Sequence, residues 1–245
     1  MCRRSRLRFF KLFIPLFLLF SSCLHATKSS EETFTEIYKK KIWGTNEKGE
    51  PSSGGGSTLK ATEEYRKFLQ EFFKTYHVRS LVDVGCGDWE FSKAIDWGSI
   101  YYIGYDVVNT IVNKNRELYS NSHTYFIEGD GLTMDLVPAD VLICKDVLQH
   151  LSTEDIKHFL KQIHKFKYCL ITNDIDPKTG TSLNLPVATG QYRPIDLTQP
   201  PFNIKGIKIF TYHAGSNTIK QVLLISPEEQ EDLAEDQEAS ATDSI

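Results

Sequence analysis

The sequence has no Cys-x-x-Cys pair and no cysteine–histidine cluster at zinc spacing, which excludes the common structural zinc modules. Of five cysteines, Cys2 and Cys23 lie near the N-terminus; Cys86, Cys144 and Cys169 sit in or beside apolar runs and read as buried free thiols. A general surplus of positive charge is also missing. The net charge of −4 is unevenly spread, with five bases and no acid in residues 1–11 and eight acids and no base in residues 226–245. The chain between them is close to neutral, so general nucleic-acid binding is not expected. Internal repeats are absent.

The apolar run at residues 12–20 is too short to span a bilayer comfortably, but it has the length of a signal-peptide core behind a basic flank. Phe20-Ser-Ser-Cys23 resembles a bacterial lipobox, and Leu24-His-Ala26 resembles a signal-peptidase site. Residues 1–26 are therefore expected to export the protein or tether it to a membrane, and any membrane contact is expected there. A start set too far upstream would instead leave the domain in the cytoplasm.

With 245 residues and 40% hydrophobic content, the chain can bury one sizeable core. Residues 27–57 are polar and end in Ser53-Gly-Gly-Gly-Ser57, a linker or, given Trp43, a lid. The domain is expected over residues 58–225, and an acidic disordered tail over 226–245. Tyr65, Phe68, Leu69, Phe72, Phe73 and Tyr76 recur at helical spacing and form one apolar face.

Beyond that face, strand-like runs at 80–84, 100–105, 124–128, 140–144 and 168–172 alternate with helical patterns at 90–95, 110–119 and 154–166, and a short turn near 147–151. Ser152-Thr-Glu-Asp155 is similar to a capping box, with Asp in the place of Glu or Gln. The alternation predicts an α/β fold: a Rossmann-like, mostly parallel sheet with helices on both faces. Residues 207–213 and 219–225 read as a C-terminal antiparallel hairpin.

In such sheets ligands bind beyond the carboxyl ends of the strands, where the strand order reverses. Four strand ends carry acids. Asp83-Val-Gly85-Cys-Gly87-Asp88 ends the first, Asp106 ends the second, Glu128-Gly-Asp-Gly131 follows the third, and Cys144-Lys-Asp-Val-Leu-Gln-His150 ends the fourth. Glycines let backbone amides approach a ligand closely. Asp83 would repel a pyrophosphate, and Glu90 stands where a dinucleotide fingerprint has its third glycine, so a nicotinamide oxidoreductase is disfavoured.

The loop at 83–88 resembles the first motif of the class I S-adenosylmethionine-dependent methyltransferases. The set W-G…S-G-G-G-S, G-C-G-D-W, K-D-V-L-Q-H, T-N-D and G-Q-Y-R-x-x-D is similar to that of a poorly characterised bacterial group, across most of residues 43–225. The resemblance implies S-adenosylmethionine as cofactor, held by Asp83, Gly85, Gly87, Asp106, Asp130, Gly131 and Lys145. Asp106 would take the ribose hydroxyls and Asp130 the adenine amino group. Asp146 would face the reacting methyl group as a catalytic candidate; His150, just before a capped helix, reads either as a general base or as a histidine that fixes the local backbone. Trp89 departs from the motif's last glycine, at the methionine end of the pocket.

The acceptor, a small molecule or a protein, is not specified by these residues. A metal-dependent variant would use Asp146 with Asn173 and Asp174; the pair is reversed from the usual Asp-Asn order, and no metal is expected. In the long segment running to Lys205, Gly190–Asp196 reads either as a substrate cover or as a crossover with Arg193 paired to Asp196. A different class of reading is an exported, non-catalytic binding module that keeps this fold.

Overall fold

The computed structural model describes residues 28–175, 183–215 and 218–226. The address segment expected at 1–26, the tail beyond 226 and residues 176–182 of the long loop lie outside the described residues. Among the described residues, no helix is long and apolar enough to cross a membrane.

Seven strands form one sheet: β1 (Ser80–Val84), β2 (Tyr101–Asp106), β3 (Thr124–Glu128), β4 (Ala139–Lys145), β5 (Phe166–Asp174), β6 (Ile207–His213) and β7 (Ile219–Ile225). Their order is β3-β2-β1-β4-β5-β7-β6. β1 to β5 are parallel, and β7 runs antiparallel between β5 and β6. The fold is thus the Rossmann-like sheet with a terminal hairpin that the alternation predicts.

Successive strand residues feed opposite faces. Val82, Val84, Leu142, Cys144, Cys169 and Ile171 join one core, while Leu81, Val141, Ile143 and Leu170 join the other. Covering on both faces is why these strands read as nearly unbroken apolar runs.

Among the described residues, four α-helices pack around the sheet: α1 (Ser30–Lys39), α2 (Glu63–Thr75), α3 (Asn109–Tyr119) and α4 (Thr153–Leu160). On α2 the apolar face buries Tyr65, Leu69, Phe72 and Phe73, and Phe68 stacks on Phe210 of β6 with centroids 4.6 Å apart. Helix α1 lies inside the polar stretch expected as a linker or lid. It starts with a full capping box, Glu32 N–H donating to Ser29 Oγ and Ser29 N–H to the Glu32 carboxylate.

Two expected helices are shortened. Residues 90–95 form only a single 3₁₀ turn, Ser92–Ala94, directly after the left-handed Trp89. The helix expected over 154–166 ends at Leu160; a 3₁₀ turn, Ile163–Lys165, then delivers Phe166 to the edge of β5, paired with Ala139. Ser152 Oγ accepts from Asp155 N–H at 3.1 Å, but the reciprocal half of the box is missing. Ser152 N–H bonds Thr189 Oγ1 instead, as Asp is one methylene shorter than Glu.

Candidate functional site

The strand order reverses between β1 and β4, and there the carboxyl ends open into a cavity of about 530 Å³. Asp83, Gly85, Gly87, Asp106, Asp130, Gly131, Lys145, Asp146 and His150 all border it.

The loop after β1 turns through Gly85 (φ +75°) and Gly87 (φ +57°), a backbone region costly for residues with a Cβ. Space is short as well. A Cβ on Gly85 would lie 2.3 Å from Val147 Cγ2, and one on Gly87 would lie 2.3 Å from Ser53 Oγ. Trp89 shares the left-handed conformation (φ +58°), so it keeps the turn a glycine would make. Its ring leaves the cavity and packs in the core against Tyr102, Phe126 and Tyr119. The departure from the glycine motif therefore sits in the core rather than in the pocket wall.

Three carboxylates stand at three strand ends. Asp83 is buried and accepts from Tyr102 Oη at 2.7 Å; burial pushes its carboxyl up to about 7, against the pull of Tyr102 and Lys145. Asp106 accepts from Gly87 N–H and Val108 N–H, both at 2.9 Å, and burial outweighs these bonds to raise its pKa. Each oxygen keeps a second lone pair, so the carboxylate pins the glycine loop and can still accept from a ligand. Asp130 turns back to accept from Leu132 N–H at 2.9 Å, placing Gly131 and Leu132 on the same wall.

Residues 43–57 form a strap across this opening. Ser53 ties it to the glycine loop: Ser53 N–H and Oγ donate to Asp88, Asp88 N–H donates back to Ser53 Oγ at 2.9 Å, and Tyr38 Oη lies 2.7 Å from the same oxygen. At the other end Lys145 Nζ donates to Gly56 O at 3.0 Å.

The far wall is a buried ionic chain. Asp146 Oδ2 accepts from Lys145 at 2.6 Å and Oδ1 from Lys220 at 2.8 Å; Lys220 also donates to Asp174 at 2.9 Å, which in turn accepts from Tyr192 Oη at 3.0 Å. Burial alone would raise the Asp146 carboxyl, but the two ammonium groups outweigh it and hold it at about 2. Burial lowers the Lys145 pKa; Asp146 and Asp174 overcome burial to raise that of Lys220. Asp146 also has φ +60°, strain placed at the site itself.

The oxygen set considered for a metal does not assemble. Lys220 Nζ bridges Asp146 and Asp174 where a cation would sit, and Asn173 points to a separate small cavity beside Ile195 and Leu197. Arg193 is not paired with Asp196, which binds Lys208 at 2.8 Å. Its buried guanidinium donates to the carbonyls of Leu148 and Leu151 instead.

Sequence reasoning missed Lys220 and the contribution of α1, whose Phe34 and Tyr38 border the cavity. Lys220 did leave a signal, as the only cation in the apolar run of β7.

A family profile described as a methyltransferase domain matches residues 82–166. A search of curated proteins finds no sequence match. Among solved structures, the chain is similar to human N-acetylserotonin methyltransferase in complex with S-adenosylmethionine. The TM-score is 0.50 at 18% identity, over 81% of this chain and 60% of that one, so this chain spans under two thirds of that protein. It is also similar to magnesium protoporphyrin IX methyltransferase from Synechocystis PCC 6803 with bound S-adenosylhomocysteine. There the TM-score is 0.54 at 14% identity, over 80% of this chain and 98% of that one. At such identities the likeness is one of fold.

Proposed function

We propose that the protein is an S-adenosylmethionine-dependent methyltransferase acting by in-line displacement. The observation that carries this reading is the meeting of Asp83, Asp106 and Asp130 with the bare backbone of Gly85 and Gly87 around one cavity at the strand-order reversal. Carboxylates suit ribose hydroxyls, an adenine amino group and the cationic methionine end; a diphosphate would force buried carboxyl groups to face further negative charge.

The residues fit the methyl donor in named places. Asp106 would take the ribose hydroxyls, Asp130 the adenine edge, and Asp83 with the glycine loop the methionine end, with Gly131 allowing close approach. Lys145 would support that end by holding the strap through Gly56 O. Bound adenosylmethionine supplies a methyl group on a sulfonium, already activated for transfer. The protein's part is then to align the acceptor and exclude water. The strap at 43–57 covers the opening, and Asp146 and His150 line the acceptor side.

Calorimetry with S-adenosylmethionine and S-adenosylhomocysteine tests this reading. Both should bind one to one and NAD should not. Asp106→Ala should weaken binding by about 10²–10⁴-fold, the worth of two charged hydrogen bonds. Binding of neither ligand sinks the proposal.

We propose further that residues 1–26 export or tether the protein. Cell fractionation with N-terminal sequencing of the mature chain tests this; a soluble cytoplasmic protein beginning at Met1 would contradict it.

A further inference from the structure

Two segments distant in sequence meet beside the ionic chain. The turn 148–151, after β4, carries Gln149 and His150; residues 190–193 wrap it. Gly190 N–H donates to His150 O at 2.8 Å and Arg193 N–H to Gln149 O at 3.1 Å, while the Arg193 guanidinium binds the carbonyls of Leu148 and Leu151. The His150 ring is fixed too, with Nδ1 3.0 Å from Gln191 O. A carbonyl can only accept, so Nδ1 carries the proton and the neutral ring keeps its lone pair on Nε2. Among the described residues nothing hydrogen-bonds Nε2.

The surroundings restrict what this nitrogen can meet. The Trp43 ring of the strap lies 5.1 Å from the His150 ring and packs with Phe34 and Tyr38, tilted 40° to the first and edge-on to the second, so an aromatic face borders the imidazole. The same cavity is bordered by the chain Lys145–Asp146–Lys220–Asp174, two cations and two anions paired with each other. It leaves no unmatched charge for a charged acceptor, and separating these pairs would be costly.

Resting on the methyl-transfer reading, we propose that the acceptor is an uncharged, flat compound with an acidic hydroxyl, a phenol or enol, whose proton passes to His150 Nε2. An oxygen lone pair forms the new C–O bond as the methyl–sulfur bond breaks. That electron pair stays on sulfur, giving the neutral thioether, and the hydroxyl proton ends on the imidazole. A phenol, with a pKa of about 10, is within reach of an imidazole base, whereas an aliphatic alcohol is too weak an acid. A protonated amine would need an unpaired carboxylate, which this wall lacks.

Burial lowers the pKa of His150, so the base is free at neutral pH. The Gln191 carbonyl, Asp146 and Asp174 oppose that shift, and Lys220 adds to it. Arg193 and Gln191 are positioning residues that hold the ring and its tautomer.

The test gives the full chain [methyl-¹³C]-adenosylmethionine and a small-molecule extract or a protein extract of the cells that make it, and reads the ¹³C shift of the product. The expected label is an O-methyl carbon on an aromatic or enolic oxygen. In the small-molecule fraction it assigns a free acceptor; on tyrosine oxygen in the protein fraction it assigns the same chemistry to a peptide. His150→Asn, which keeps a group able to bond Gln191 O, should retain affinity for adenosylmethionine and lose about 10²–10⁴-fold in turnover. At saturating methyl donor its rate should also lose the wild-type fall on the acid side of pH 6.5. Label on nitrogen, sulfur or carbon overturns the proposal, as does no transfer by a protein that still binds methyl donor, or an active His150→Asn variant with an unchanged pH profile. Failure to bind the methyl donor at all would overturn the function itself.

Discussion

Raising the pH from 5 to 7 should strengthen S-adenosylmethionine binding by drawing a proton off Asp83. Burial holds this carboxyl at about 7 in the free protein, against an ordinary value of 3.8. A cationic ligand beside it favours the ionised form. If the complex restores a value of about 4, affinity rises about fiftyfold across that interval, about 2 kcal/mol, and about 0.9 proton is released at pH 6. The amino group of the ligand, with a pKa near 8, stays charged throughout. In the free protein the same shift has the opposite sense. Between pH 3.8 and about 7 the folded chain keeps a proton that the unfolded chain has lost. Stability therefore falls as pH rises through that window, by up to about 4 kcal/mol, and is level above it. Calorimetry at pH 6 in two buffers of different ionisation enthalpy counts the protons, and Asp83→Asn shows what the other titrating groups contribute, so that it can be subtracted. Equal affinity at pH 5 and 7 in the wild type, or an equal slope in Asp83→Asn, would refute the reasoning.

Other substitutions probe single contacts. Gly87→Ala places a Cβ 2.3 Å from Ser53 Oγ at φ +57°; it should cost about 1–2 kcal/mol and, by displacing the strap, weaken methyl-donor binding in dialysis. Trp89→Gly relieves a left-handed φ but empties the aromatic core, so stability should fall by about 3 kcal/mol in denaturant titration while affinity for adenosylhomocysteine is unchanged. Lys220→Met leaves Asp146 and Asp174 facing each other across a buried wall; a loss of about 3–5 kcal/mol and a melting temperature lower by about 10 °C are expected. Because Lys220 already bridges those carboxylates, a metal chelator should leave wild-type transfer unchanged.

The sheet was legible because covering on both faces writes each central strand as an apolar run, and the reversal point follows from the parallel order. The acids were legible for a related reason: Asp83, Asp106, Asp130 and Asp146 each stand at or just past the end of such a run. What escaped sequence reading depends on tertiary contacts. Lys220 reaches the site only because β7 inserts between β5 and β6, a pairing that its own residues do not state. Helix α1 reads as polar, since Phe34, Ile37 and Tyr38 are too few to give a long stripe, yet those residues are its buried contacts. Arg193 and Asp196 stand near each other in sequence, but the chain folds Arg193 inward onto the turn carrying His150 and leaves Asp196 to Lys208. Trp89 looked like an intrusion into the pocket because sequence spacing does not tell which way a ring turns.

A crystal structure with S-adenosylhomocysteine at saturation tests the central claim most directly. The ribose hydroxyls should lie within hydrogen-bond reach of Asp106, the adenine edge against Asp130, and the sulfur toward Asp146 and His150. A ligand bound elsewhere, or this cavity empty at saturating ligand, would contradict it.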